Sequence, residues 1–214
     1  MHSFLSAYGP MLLHAVLVHL AYVLVSVSLG LALGLAAGIL LSRLPAAWSF
    51  VLLPVLSIFQ TVPGIVFIGL LFFALGMTPF TVIFALAIYA TFPVLKNTYT
   101  GLTQIEPQYR EAARGCGYSP LQTLKHVELP LALPTIIGGL RLSVIYTVSW
   151  AVLASMIGLG GLGDFIYQGV SSNNRLLIVT GAVPAALMAV LLGALVDQLQ
   201  KIVTPRGLRR EVHS

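Results

Sequence analysis

Residues 11–42 read MLLHAVLVHLAYVLVSVSLGLALGLAAGILLS, and no Lys, Arg, Asp or Glu precedes Arg43. A membrane-crossing helix needs about 20 mainly apolar residues at about 1.5 Å of rise each, and this run exceeds that length. Working outward, residues 44–95, 142–163 and 176–196 are equally free of Lys, Arg, Asp and Glu. The stretch 44–95 is long enough for two spans, and Gly76-Met77-Thr78-Pro79 supplies the turn signal that divides it. The expected class is therefore an all-α integral membrane protein of about five helices, at roughly 12–41, 49–75, 80–101, 131–157 and 176–202. A short outer segment, 1–11, precedes them and a basic tail, 203–214, follows.

Composition agrees. Of 214 residues 58% are hydrophobic and 8% charged, with a mean hydropathy of +0.97, far more apolar than an ordinary globular domain. The first run has no basic segment before it and no clear small-x-small cleavage site, so it reads as a span and not as a signal peptide. Cys116 is the single cysteine, which excludes an internal disulfide and a cysteine-based metal cluster. Placing Arg43, Lys96, Arg110, Arg114, Lys125, Lys201, Arg206, Arg209 and Arg210 in the cytoplasm leaves Arg175 as the only basic residue of an outer loop. The N-terminus is then expected outside and the C-terminus inside. This bias accounts for the net charge of +5 without a nucleic-acid partner, and basic residues interleaved with aromatics are absent.

The one long polar segment, 102–130, is the expected site of function. Glu106-Pro107-Gln108-Tyr109-Arg110-Glu111-Ala112-Ala113-Arg114 puts proline at a first helical position before good helix formers. Gly115 and Gly117 can end that helix. Ser119-Pro120-Leu121-Gln122 has the form of a capping box and predicts a second short helix to about Glu128, with Pro130 and Pro134 stopping it before the fourth span. Two short helices joined by a glycine corner make a docking device.

Glu111-Ala112-Ala113, three residues, Gly117, nine residues, then Val127-Glu128-Leu129-Pro130 resembles the EAA loop of ATP-binding-cassette (ABC) importer permeases, with Val127 in place of the usual Ile. The resemblance implies the type I importer permease fold shared with methionine permeases. It implies that Glu111, Ala112, Ala113, Gly115, Gly117, Leu121, Val127, Leu129 and Pro130 couple the chain to a cytoplasmic ATPase. Phe59-Gln60-Thr61-Val62-Pro63-Gly64, Lys96-Asn97-Thr98-Tyr99-Thr100-Gly101, Val127 to Pro134 and Ile157 to Asp164 are similar to permeases of the osmoprotectant group. That group imports glycine betaine, carnitine, choline and related quaternary amines. The resemblance spans about residues 19–200. It implies a bacterial inner-membrane subunit that is not itself an enzyme and works with two ATPase subunits, a second permease (identical or paralogous) and an external binding protein, all within membrane lipid. ATP and magnesium belong to the partner ATPase, no cofactor is held by this chain, and amino-acid import, methionine for example, is the second substrate reading.

Other signals are weaker. Gly158-Leu159-Gly160-Gly161-Leu162-Gly163 matches GxGxxG without the strand and βαβ context a dinucleotide site requires, and GxxxxGK[ST] occurs nowhere. The resemblance implies that Gly160 and Gly161 serve an outer gate on the translocation pathway or a surface for a binding protein, and a simple turn is the other reading. His14 and His19 are five apart, without the spacing or the adjacent Glu of a zinc helix, and read as helix-contact residues. Tyr146 and Trp150 share a helix face, and aromatic faces attract quaternary ammonium groups, so they are candidate pathway residues beside ordinary packing. Pro63-Gly64 in the second span and Pro184 in the fifth either break the helix along a pathway or are tolerated kinks. Arg141 and Asp197 are read as snorkelling or as a mutual pair. A secondary transporter would need internal repeats and a midplane carboxylate, and an intramembrane hydrolase a united nucleophile and base; neither set is found.

Overall fold

In hydrocarbon each backbone N–H and C=O has to be paired within its own segment, so uncharged runs of this length have to be helical. The computed structural model describes residues 2–204, and all the regular structure there is helical. Among the described residues, four helices are long and apolar enough to cross a membrane: α1 (His2–Arg43), α4 (Pro79–Thr103), α7 (Leu129–Ala154) and α9 (Arg175–Val203). Between them lie α2 (Ala46–Gln60), α3 (Gly64–Leu75), α5 (Pro107–Gly115), α6 (Pro120–Thr123) and α8 (Leu162–Ser171).

The expected second span, 49–75, is not one helix. It is interrupted at Thr61-Val62-Pro63, giving α2 of 15 residues and α3 of 12. At about 1.5 Å per residue each is shorter than the hydrocarbon core of about 30 Å, so neither crosses alone. Pro63 has no N–H and enforces an extended residue before it. Tyr89 of α4 donates its hydroxyl to the freed Val62 carbonyl at 3.2 Å. Pro184, by contrast, sits inside an unbroken α9. A proline alone therefore does not break these helices; the break comes where Pro63 is joined to Gly64 and a neighbouring hydroxyl takes up the loose carbonyl.

The bundle is centred on α4, whose most apolar window is 61% buried against 33% for α1 and 28% for α9. Lipid offers no hydrophobic drive for helix association, so close backbone approach and interhelical hydrogen bonds carry it. Gly30, Gly34 and Gly38 of α1 form the small-residue stripe that makes this possible. A Cβ on them would lie 2.5 Å from Ala90 Cβ, 2.6 Å from the Thr91 carbonyl and 2.6 Å from Thr98 Cβ, all on α4. Ser26 donates to the Ile83 carbonyl at 3.2 Å and Ser143 of α7 to the Ala90 carbonyl at 2.8 Å. The main core gathers Val23, Ile68, Leu86, Val148, Leu162 and Phe165 from α1, α3, α4, α7 and α8. Arg141 Nε meets Asp197 Oδ1 at 2.9 Å, so that pair links α7 to α9.

A second departure concerns Pro130 and Pro134. They do not stop the short helix; the chain stays helical from Pro120 through a π-turn, Leu124–Glu128, into α7. Leu129 N–H reaches back to the Leu124 carbonyl, an i to i−5 bond. The wider turn relieves the clash a proline ring otherwise makes with the carbonyl four residues before it.

Candidate functional site

The polar corner is specified locally. Pro107 opens α5, whose end is closed by Tyr118 N–H to the Ala113 carbonyl (3.0 Å) and Gly117 N–H to the Arg114 carbonyl (2.9 Å). This is a Schellman closure, and it puts Gly117 at φ +79, a left-handed conformation that suits glycine. The capping box read from the sequence is formed, with Ser119 N–H donating to Gln122 Oε1 at 2.8 Å and Gln122 N–H to Ser119 Oγ at 3.3 Å. The Tyr118 and His126 rings meet edge to face at 6.1 Å across the bend.

The expected coupling residues fall on two sides. Glu111, Ala112, Gly115, Gly117 and Leu121 are exposed, and Leu121 is 72% accessible. Ala113 is buried, and Val127, Leu129 and Pro130 are half-buried. Leu129 and Leu124 pack on a small second core of Leu102, Ile105, Ala132 and Ile136. The motif thus has a face turned to solvent and a face that seats the corner on α4 and α7. Ala113 faces inward, and its small side chain allows the close packing of the corner.

Sequence reasoning gave no role to the charges behind the corner. Glu128 is 1% exposed and accepts hydrogen bonds from Arg43, at the end of α1, and from Arg110 of α5, whose Nε lies 2.6 Å from Oε1. Arg110 also donates through Nη2 to the Leu102 carbonyl in the last turn of α4, at 2.7 Å. A buried carboxylate is costly without such partners, and here two guanidinium groups surround it. No short-range spacing announces this set, because its members lie 18 and 85 residues apart.

Among the expected pathway residues, Gly64 and Trp150 come together. The Trp150 ring occupies the space where a Gly64 side chain would stand, 1.5 Å from the ideal Cβ. It stacks on Tyr89 with centroids 4.0 Å apart, and Phe67 meets Tyr89 edge-on at 5.1 Å. Tyr146 is 48% exposed and borders, with Gln60, Tyr89 and Trp150, a cavity of about 210 Å³ at the break between α2 and α3. Pro63 precedes α3 at that break. Gln60 and Tyr89 are additions that only the fold could bring to Tyr146 and Trp150.

Gly160 and Gly161 lie elsewhere, beyond the far end of α7. A π-turn, Ser155–Leu159, leads into them, and both have positive φ, +81 and +111. Tyr22 of α1 donates its hydroxyl to the Leu159 carbonyl at 2.9 Å, and Gly163 N–H donates to Ser155 Oγ at 2.9 Å. His19 is fully buried with Nε2 3.2 Å from the Val148 carbonyl, so it is a contact between α1 and α7.

Three comparisons bear on this arrangement. The carnitine transport permease protein OpuCB of Listeria monocytogenes is 38% identical over 191 residues, covering 89% of this chain and 87% of that protein. The choline transport system permease protein OpuBB of Bacillus subtilis (strain 168) is 34% identical over 208 residues, covering 97% and 95%. The glycine betaine/carnitine/choline transport system permease protein OpuCB of Bacillus subtilis (strain 168) is 35% identical, covering 98% and 96%. In three dimensions the chain is similar to one in the inward-facing MetNI methionine ABC transporter, with a TM-score of 0.80, 25% identity, and coverage of 91% of this chain and 97% of that one. The model of the binding-protein-dependent transport system inner membrane component matches residues 30–208. With five-sixths of its length matched and relatives aligned nearly end to end, the chain belongs to the family of inner-membrane components of binding-protein-dependent transport systems.

Proposed function

We propose that this chain is the membrane-spanning permease of an ATP-driven importer for quaternary-amine osmoprotectants such as glycine betaine, choline or carnitine. The observation that carries the reading is the polar corner at 107–130, a rigidly built bend with an exposed small-residue and leucine face in the EAA pattern. The substrate class is supported by the printed names of the carnitine, choline and glycine betaine permeases above. ATP hydrolysis, with its magnesium, resides in two separate cytoplasmic subunits that receive the corner. A second permease, identical or paralogous, completes the pathway, and an external binding protein delivers the solute. The N-terminus lies outside and the C-terminus in the cytoplasm, the arrangement the Lys/Arg distribution favours.

The mechanism is alternating access. Closure of the ATPase dimer moves the exposed face of Glu111, Ala112, Gly115, Gly117 and Leu121, and the inward face of Ala113, Val127, Leu129 and Pro130 passes that movement to α4 and α7. The cavity bordered by Gln60, Tyr89, Tyr146 and Trp150 lies along the path of the solute, where the half-exposed Tyr146 ring offers a free aromatic face to a quaternary ammonium group. Trp150 is the wall of that cavity, held by Tyr89 and admitted by Gly64. Gly160 and Gly161 form the outer turn, at the face where the binding protein docks.

The test is uptake into proteoliposomes containing the whole importer, with labelled glycine betaine, choline, carnitine and methionine in competition. ATP-dependent uptake of a quaternary amine supports the proposal. Uptake of methionine alone overturns the substrate class and favours the amino-acid reading that the methionine-transporter fold keeps open.

A further inference from the structure

We propose that Arg43, Arg110 and Glu128 are positioning residues for coupling: a clasp that makes the polar corner and the adjoining ends of α1, α4 and α7 move as one body. The inference rests on the reading of the corner as the ATPase-docking element and adds residues outside its exposed face. Glu128 is buried at the junction of the π-turn with α7, so it acts through what it holds. Arg43 brings the last turn of α1 to it, and Arg110 brings α5. The second bond of Arg110, to the Leu102 carbonyl, adds the last turn of α4. The ends of α1 and α5 therefore meet at the carboxylate that begins α7, and α4 joins them through Arg110.

The chemistry makes this connection stiff. A guanidinium is planar and donates in fixed directions, so a carboxylate gripped by two of them has little freedom to reorient. The environment is enclosed on the Glu128 side, which strengthens each charge-assisted bond and makes a half-dissolved clasp unfavourable. Without it, α5 would hang on the Schellman bend and the edge of the small second core, and a push on its exposed face would bend the corner before it tilted the spans. With it, displacement of α5 is shared at once by α1, α4 and α7.

Arg110→Gln is the discriminating variant, because it frees α5 while Glu128 stays paired with Arg43 and the fold is spared an unpaired buried charge. In the reconstituted importer, solute moved per ATP hydrolysed is expected to fall roughly tenfold or more, since the charge-assisted hydrogen bonds to Glu128 and to the Leu102 carbonyl are both lost, with the ATPase still bound. Glu128→Gln should fall at least as far. A second readout uses spin labels on Cys116, the lone cysteine at the end of α5, and on Leu44→Cys beside the end of α1. A rigid clasp gives one within-chain distance that is the same with and without trapped ATP, and Arg110→Gln broadens it. A distance that changes with ATP in the unmodified chain, or a wild-type transport-to-ATP ratio in Arg110→Gln, overturns the clasp. Failure of the docking reading looks different: Leu121→Asp would then retain the ATPase, whatever the label distances.

Discussion

Two glycine-built bends stand at opposite ends of the continuous helical run from Pro120 through α7, and they keep their shapes by different means. At the polar corner, Gly117 is left-handed, yet nothing lies within 4 Å of where its Cβ would be. That bend is made by its own backbone and a capping box, so one face stays open. At the 158–163 turn Gly158 is as open as Gly117, but Gly161 and Gly163 are closely packed. A Cβ on Gly163 would lie 2.1 Å from the Val152 carbonyl oxygen, and one on Gly161 would lie 3.4 Å from His19 Nδ1. A locally specified bend can present a surface to another protein, whereas a bend held by packing follows the helices around it. Under the proposed function, the first suits a docking element and the second an outer turn held by α1 and α7.

The sharpest way to break this contrast is to put the same side chain at both bends. Gly163→Val drives a β-branched side chain into backbone that cannot step aside, so the expected loss is about 3 kcal/mol or more, at the upper end for overpacking. It should appear as a large drop in the thermal unfolding midpoint of the detergent-solubilised chain. Gly117→Val meets no neighbour and carries only the left-handed strain, about 1–2 kcal/mol. It should leave a folded chain in the membrane with a smaller drop in midpoint and impaired coupling of ATP hydrolysis to uptake. Equal losses at the two positions would mean that the polar corner is as closely packed as the far turn, and the contrast would be lost.

What could be read in the sequence follows the range of the forces. Uncharged runs decide the all-helical membrane class because the penalty for unpaired backbone in lipid acts on every residue of the run. The corner was legible because Pro107, Gly117 and Ser119-Pro120-Leu121-Gln122 specify it through bonds between near neighbours. Two prolines share a lesson: Pro63-Gly64 takes the break that the sequence left open beside a kink, Pro130 does not stop its helix as expected, and each outcome is decided by what surrounds the proline, the Tyr89 hydroxyl in one case and a π-turn in the other. The Gly30, Gly34, Gly38 stripe left a signal in its spacing of four, which a search for small-residue helix contacts would have found. The Arg43–Glu128–Arg110 cluster left none, since only the fold brings α1, α5 and the start of α7 together. Tyr89 and Gln60 were likewise brought to Tyr146 and Trp150 by packing.

The smallest expected effect on stability is also the most informative about the open face. Leu121 is 72% accessible at the first turn of α6, its side chain takes no part in the Ser119–Gln122 cap bonds, and an exposed substitution of that kind usually shifts stability within about 0.5 kcal/mol. Leu121→Asp should therefore unfold at nearly the wild-type midpoint while its ATPase subunit is lost during purification, because a carboxylate would be carried into the centre of the docking contact without a partner. A lowered midpoint with the ATPase retained would mean that Leu121 serves the corner's own packing, in the manner of Ala113. An unchanged midpoint with the ATPase lost would separate the two faces of the motif: Leu121 recognising the partner, and Ala113, Val127 and Leu129 holding the bend in place to be recognised.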